Sequence, residues 1–500
     1  MRRAEFGDFQ TPLALAEKIC RTLAGLGIAP ASIVEPACGL GSLLLAALRE
    51  FSSLSTAIGV DINPAHLLAV QAALDSTALV SGVRLERADF FSLDWANLLR
   101  TLPEPILVLG NPPWVTNADL SRMNSGNLPP KSNLDGSGGL DALTGRSNFD
   151  ISEWMLRHLL ELLTGKDAVL AMLCKTSVAR RVLAALWKSG QSPDHCVIYR
   201  IDAKQEFGAA VDACLLVCRT GASRADRVCA VFSSLDSRER ESTFGFRGAG
   251  IVADVRAFER WRGLEGRERC KWRSGIKHDC SDVLQLRKDN DGYLNGFGER
   301  IRIEPDYVFP MIRGSDLARF KSAGSDWMLV PQRSVGEGTQ AIKTVAPVTW
   351  DYLLRHGEIL DRRKSSIYRK RPRFSIFGVG PYTFAPWKIA ISGFYKRLQF
   401  VMIGPIDGKP MVLDDTAYFL SFGDQADAEL VMSLVNSEPA HAFYRSLIFW
   451  DSKRPITAEI LSRLDLLALS AELRKENEFQ AFLSRNRRDH LGMTQGILLE

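Results

Sequence analysis

The run Leu109-Gly110-Asn111-Pro112-Pro113-Trp114 holds the residues best suited to chemistry in this chain. It closes an apolar stretch, Ile106-Leu107-Val108-Leu109, that reads as a strand. Two prolines then stop the strand and stiffen the backbone, so Asn111 is held at a strand end. Proline has no N–H, which leaves the Pro112 carbonyl open as an acceptor. That carbonyl and the Asn111 side-chain oxygen can take both hydrogens of one NH2 group, drawing the nitrogen toward tetrahedral geometry and exposing its lone pair. Trp114 offers a ring on which a flat base stacks. The competing reading of these residues alone is a plain Pro-Pro turn beside a core tryptophan.

Three further strand ends carry acids. Glu35-Pro36-Ala37-Cys38-Gly39-Leu40-Gly41 follows the strand Ser32–Glu35, and its two glycines let the backbone turn tightly and approach a ligand. A full GxGxxG is absent; its third glycine serves close packing around a dinucleotide pyrophosphate. A carboxylate with GxG suits a cationic, pyrophosphate-free ligand such as S-adenosylmethionine. Asp61 ends the second strand, where an acid accepts from ribose hydroxyls. Asp89 ends the third, placed to accept from an adenine amino group while Phe90 packs against the base. Each acid alone reads equally well as a helix cap or turn. Three in register at successive strand ends are far less expected by chance.

The elements that position them alternate. Strands at Ser32–Glu35, Ala57–Asp61, Val83–Asp89, Ile106–Leu109, Ala168–Leu173 and Ala213–Val217 are separated by helical patterns at Ser42–Glu50, from Asn63-Pro64 onward, and at Ile151–Leu163. This is the signature of an α/β doubly wound sheet, whose ligands sit at the carboxyl ends of the strands. Residues 118–146 lack periodicity and form an insertion beside a strand end. From about residue 226 the pattern loosens into a separate α+β domain. Strands are expected there at Phe374–Phe377, Lys388–Ile391 and Phe400–Ile403, a turn at Asp407-Gly408, and a helix at Ala426–Val435. The domains are therefore drawn as residues 1–225 and 226–500.

Charge is uneven. The chain carries 63 Lys+Arg and 58 Asp+Glu; residues 1–220 hold 20 and 22 of these, leaving 43 and 36 for residues 221–500. A nearly neutral half followed by a basic half fits a catalytic unit and a unit that meets a polyanion, although a lysine-rich solvated surface gives the same balance. Nine scattered cysteines with no CxxC pair read as reduced, buried thiols of a cytoplasmic protein. Cys270, His278 and Cys280 match no zinc spacing, so no metal is expected. The start, Met1-Arg2-Arg3-Ala4-Glu5-Phe6, lacks a signal-peptide pattern, and no apolar run approaches the ~18 residues of a membrane span.

Phe6-Gly7-Asp8-Phe9-Gln10-Thr11-Pro12, the glycine loop, Asp61, Asp89-Phe90 and Asn111-Pro112-Pro113-Trp114 together resemble the ordered motifs of amino-group DNA methyltransferases. Their order is that of the gamma arrangement, cofactor half first and target recognition C-terminal. The resemblance covers roughly residues 6–220. It implies a class I S-adenosylmethionine-dependent fold and methyl transfer to the N6 of an adenine flipped out of double-stranded DNA. It assigns the cofactor to Thr11, Pro12, Glu35, Pro36, Ala37, Cys38, Gly39, Gly41, Asp61, Ile62, Asp89, Phe90 and Asn111. Catalysis falls to Asn111, Pro112, Pro113 and Trp114. Thr11-Pro12 would close over the cofactor's methionine end, Ser147-Asn148-Phe149-Asp150 would line the cofactor adenine and base pocket, and Lys175-Thr176-Ser177 would support that pocket. Phe207 would stack on the target base opposite Trp114, although the family usually has Pro where Gly208 stands.

The segment from Asp361 to Phe374 offers Arg362, Arg363, Lys364, Arg369, Lys370, Arg371 and Arg373 for phosphate contacts, against the alternative of a solvated basic loop. A modification role implies a separate restriction endonuclease or defence-system subunit as partner. Cytosine C5 chemistry needs a cysteine nucleophile after proline, and no Pro-Cys pair occurs. Cytosine N4 enzymes usually carry Ser at the place of Asn111. RNA or protein-glutamine N-methyltransfer, or a non-catalytic DNA-binding subunit on the same fold, are the remaining alternatives.

Overall fold

The computed structural model describes residues 9–76, 82–115, 150–191, 193–221, 226–289, 292–319 and 326–489. The chain divides into two compact units, Met1–Val255 and Arg256–Glu500.

In the first unit, helix α1 (Leu13–Gly25) precedes β1 (Ser32–Glu35), α2 (Ser42–Glu50), β2 (Thr56–Asp61), α3 (Pro64–Asp75), β3 (Val83–Arg87), α4 (Trp95–Arg100) and β4 (Ile106–Gly110). After the undescribed residues come α5 (Ile151–Leu162), β5 (Ala168–Lys175), α6 (Thr176–Lys188), β6 (His195–Ile201), the short α7 (Ala203–Phe207) and β7 (Ala213–Thr220). Asn63 opens α3 by accepting from the Ala65 N–H, and Pro64 costs nothing at the first helical position because its N–H would be unpaired there. β1 and β4 are buried at every position and β5 at all but Lys175. Strands covered on both faces favour apolar residues throughout, which is why β4 and most of β5 read as continuous apolar runs, while β1 buries Ser32 and Glu35 at its two ends. β3 ends the sheet and alternates, presenting Arg84 and Glu86 from an edge.

With β8 (Val228–Phe232), β9 (Ser242–Arg247) and β10 (Gly250–Val252), the described strands of this unit form a ten-stranded sheet in the order β10-β9-β8-β6-β7-β5-β4-β1-β2-β3. β1 pairs in parallel with β2 on one side and β4 on the other. The chain order therefore reverses at the β1/β4 boundary, and the connections leaving these two strands diverge. This opens a crevice at their carboxyl ends. The glycine loop and the Asn-Pro-Pro corner leave β1 and β4 at this point.

Two expectations need correction. The first unit does not end near residue 225: β8 (Val228–Phe232), β9 (Ser242–Arg247) and β10 (Gly250–Val252) continue its sheet through pairing of β8 with β6. The boundary lies thirty residues later because strand pairing, not composition, decides it. Phe374–Phe377 is not a strand. Phe374 has a positive φ of 68° and Gly378 one of 70°, which break the extended backbone, and Phe377 makes a single bridge to Lys277. Phe374 and Ile376 are buried by packing rather than by pairing.

The second unit is α+β. β11 (Arg273–Ser274), β20 (Ala417–Phe422), β17 (Trp387–Ser392) and β18 (Val401–Ile403) form one sheet in that order. The other has the order β14 (Arg300–Ile301), β13 (Gly292–Leu294), β12 (Gln285–Asp289), β16 (Asp326–Leu329), β15 (Val308–Ile312), β19 (Val412–Leu413). Asp407 and Gly408 both take positive φ in the expected turn, and a helix spans Gln425–Val435. Among the described residues no helix is long and apolar enough to cross a membrane, and no cluster of three His, Cys, Asp or Glu side chains is placed to hold a metal.

Candidate active site

The glycine loop is shaped by two carboxylates. Asp61 at the end of β2 accepts from the Gly39 N–H (2.8 Å) with one oxygen and from the Asn63 N–H (2.7 Å) with the other. Glu35, 2% exposed, accepts from Leu44 N–H (2.9 Å) in the first turn of α2, and burial pushes its carboxyl well above the usual carboxylate range. Gly39 and Gly41 have φ of 51° and 76°. A Cβ at Gly39 would collide with the Gln10 side-chain amide, and one at Gly41 would lie 2.8 Å from Val70 Cγ2. Both positions thus need glycine for conformation and for space. Gln10 lies over the loop, its Oε1 accepting from the Leu40 N–H (2.8 Å). Pro36 and Cys38 are buried under the loop and Ala37 is half-buried. Ile62 and Leu40 stay about half exposed, at 50% and 47%, giving this strand end apolar surface beside a carboxylate.

Asp89 follows β3 and accepts from the Phe91 N–H (3.0 Å). The Phe90 ring does not line an open pocket: it is 8% exposed and turns toward Trp95, ring centroids 4.8 Å apart. The partly open rings here are Phe91 and Trp154, 5.3 Å apart, with His158 stacked on Trp154 at 4.9 Å. Sequence reasoning missed this pair; the only signal was an aromatic directly after Phe90 and a tryptophan in the first turn of α5.

At the end of β4, Asn111 Nδ2 donates to the Phe9 carbonyl (2.7 Å) and to Thr11 Oγ1 (3.3 Å). A carbonyl can only accept, so it dictates which end of the amide faces it. The other end, Oδ1, is buried and has no hydrogen-bond partner among the described residues. The corner therefore presents a preoriented acceptor beside the Pro112 carbonyl. Thr11, 8% exposed, is spent on Asn111, and Pro12 caps α1.

The corner's far end is held as well. Lys175, at the end of β5, donates to the Trp114 carbonyl (3.1 Å) and pairs with Asp150 (2.6 Å). Asp150, 4% exposed, also caps α5, its Oδ1 accepting from the Ser152 N–H (3.3 Å) and from the Ser152 hydroxyl (2.6 Å). The Ile151 N–H donates to the Val115 carbonyl (3.0 Å). Trp114 is 6% exposed and sits in an aromatic trio, 5.6 Å from Phe9 and 5.2 Å from Phe207. Trp114 and Phe207 meet edge-to-face at 72°. A base between two rings needs about 3.5 Å to each face, so these rings must part before a base stacks between them. Phe6-Gly7-Asp8, Ser147-Asn148-Phe149 and the 118–146 insertion lie outside the described residues.

In the second unit the basic segment separates into two groups. Arg362, Lys364, Arg369, Lys370 and Arg371 are exposed. Arg363 is not available for phosphate: its guanidinium donates to the carbonyls of Leu360 (2.7 Å), His278 (3.2 Å) and Ser375 (2.7 Å) and lies 3.7 Å over the Tyr368 ring. Arg373 is exposed but pairs with Asp361 at 2.8 Å. Three inward carbonyls outcompete solvent for Arg363, which no local pattern announces.

No protein-family profile matches the chain. It is 44% identical over 472 residues to the type II methyltransferase M.NspV of Nostoc sp., across 94% of this chain and 98% of that one. Among solved structures it resembles the type IIL restriction-modification enzyme MmeI, determined in complex with DNA, with a TM-score of 0.53 and 14% identity. That likeness, of fold alone, covers 90% of this chain, which spans 64% of the MmeI chain.

Proposed function

This chain belongs to the type II methyltransferases, which use S-adenosylmethionine, and from that premise we propose that it methylates the N6 amino group of a specific adenine in double-stranded DNA. The observation that carries the reading is the buried Oδ1 of Asn111, which has no partner among the described residues and is fixed as an acceptor by the Phe9 carbonyl. A rigid acceptor pair at the switch point of the sheet suits an aromatic amine. The glycine loop suits the cofactor: Gly39 and Gly41 hold a positive-φ turn against the Asp61 carboxylate, and Ile62 and Leu40 offer apolar surface next to it.

S-adenosylmethionine supplies an activated methyl group on a sulfonium. No protein nucleophile is required, so the chain's task is positioning and electrostatics. Asn111 Oδ1 and the Pro112 carbonyl accept the two amine hydrogens and turn the nitrogen lone pair outward. The exposed lone pair would take up the methyl group that bound S-adenosylmethionine supplies, and the surplus amine proton would leave to solvent. Trp114 and Phe207 stack on the extrahelical base, offsetting the few kcal/mol of unstacking. Residues 256–500 read the target, with Arg362, Lys364, Arg369, Lys370 and Arg371 on phosphates. The enzyme serves as the modification partner of a separate restriction endonuclease.

The test is methylation of duplex DNA with labelled cofactor, followed by nucleoside analysis. Wild type yields N6-methyladenine, and Asn111→Ala keeps cofactor binding while losing transfer. Label found only in RNA, protein or N4-methylcytosine rejects the proposal.

A further inference from the structure

We propose that Lys175 is a positioning residue for methyl transfer, holding the Asn-Pro-Pro-Trp corner in its reactive geometry through the Trp114 carbonyl; the inference rests on the reading of that corner as the amine-binding site. The corner is anchored upstream by the Phe9 carbonyl on Asn111. Downstream, among the described residues, its backbone is held by the Lys175 ammonium, which bridges the Trp114 carbonyl at 3.1 Å and the Asp150 carboxylate at 2.6 Å.

The placement of Lys175 is itself rigid. It closes β5 in register with Ala213, the first residue of β7, and the Thr176 N–H donates to the Asp212 carbonyl at 2.9 Å. The ammonium therefore joins three elements: the corner after β4, the cap of α5, and the β5/β7 pair, whose second strand follows α7 and Phe207 in the chain. The orientation of the Pro113–Trp114 segment follows from this bridge, and with it the Pro112 carbonyl and the Trp114 ring. A displacement of about 1 Å in such a group costs on the order of a hundredfold in rate.

A merely structural ion pair predicts something different. Removing Lys175 alone leaves Asp150, 4% exposed, without its countercharge, and destabilises the fold whatever the lysine does for catalysis. Removing both charges in Lys175→Met/Asp150→Asn relieves that penalty, and asparagine still caps α5. The Trp114 carbonyl nevertheless stays unanchored.

The experiment measures kcat, KM for a target duplex, cofactor affinity, melting temperature and the fluorescence of 2-aminopurine at the target position. Wild type, Lys175→Met, the double variant and the core variant Leu183→Ala are compared well below their melting temperatures. The double variant is expected to melt near wild type and to lose ten- to a hundredfold in kcat. Leu183→Ala, destabilised in the core of α6, keeps its kcat. The inference is overturned by a double variant with kcat within twofold of wild type, or by equal kcat losses in Lys175→Met and Leu183→Ala. Absence of N6-methyladenine from wild type would defeat the functional reading instead, and the same kcat ratio would then be read on the acceptor that wild type methylates.

Discussion

Replacing Asn111 by aspartate tests whether the Phe9 carbonyl sets the acceptor. The exchange is isosteric but turns a donor into an oxygen 2.7 Å from the Phe9 carbonyl oxygen. Losing that hydrogen bond costs about 1 kcal/mol, and leaving the carbonyl without a donor about 1–3 kcal/mol more. At 1.36 kcal/mol per decade, a total of about 2–4 kcal/mol lowers kcat some 30- to 900-fold while the carboxylate is ionised. A protonated carboxyl, by contrast, reproduces the amide: its O–H donates to Phe9 and its C=O faces the substrate. Crowding by the Phe9 carbonyl favours that neutral form and raises the new carboxyl's pKa. The deficit of Asn111→Asp, taken as the kcat ratio to wild type in single-turnover assays, should therefore shrink steadily from about pH 9 to pH 6. Asn111→Ala should show a large, pH-independent deficit. Equal, flat deficits in both variants, or an aspartate variant as fast as wild type at alkaline pH, would refute this reasoning.

The basic segment yields a contrast. Arg363→Ala should cost about 2–4 kcal/mol of stability, since three carbonyls lose their donor. Changing Arg369, Lys370 and Arg371 together to glutamine should leave urea midpoints nearly unchanged while lowering the salt slope of DNA binding by about 3. Lys388 is fully buried, its ammonium donating to the Ala385 carbonyl (2.6 Å), and desolvation lowers its pKa from 10.5 to about 7. The folded state thus prefers the neutral amine, so stability rises with pH between about 7 and 10.5, by at most about 5 kcal/mol. Lys388→Met should be more stable than wild type at pH 7, and the gap should close toward pH 10 in denaturant titrations. Glu35 has the opposite sign, since its raised pKa means that the folded state holds a proton. The stability this confers is complete below the ordinary carboxylate value and is lost as pH rises through the folded one. Glu35→Gln should flatten that decline, as read from melting temperatures across pH 4–8.

Glycines and prolines act on the backbone next to them, and hydrophobic periodicity needs only a few neighbouring residues. Sequence alone therefore determined the order of β1 to β5, the glycine loop, the Asn111-Pro112-Pro113 corner and the acids at three strand ends. It also determined the α/β class of the first unit and the α+β character of the second. Choices between distant partners were made only in three dimensions. Pairing of β6 with β8 carried the first unit on to Val255, and a left-handed Phe374 removed an expected strand. Phe90 turned to Trp95, Arg363 turned inward to three carbonyls, and Lys175 joined Asp150 to Trp114. The orientation of the Asn111 amide came from a carbonyl 102 positions away in the chain. A side chain's chemistry is written in its type, but which of its atoms faces a substrate depends on neighbours that only the folded chain supplies.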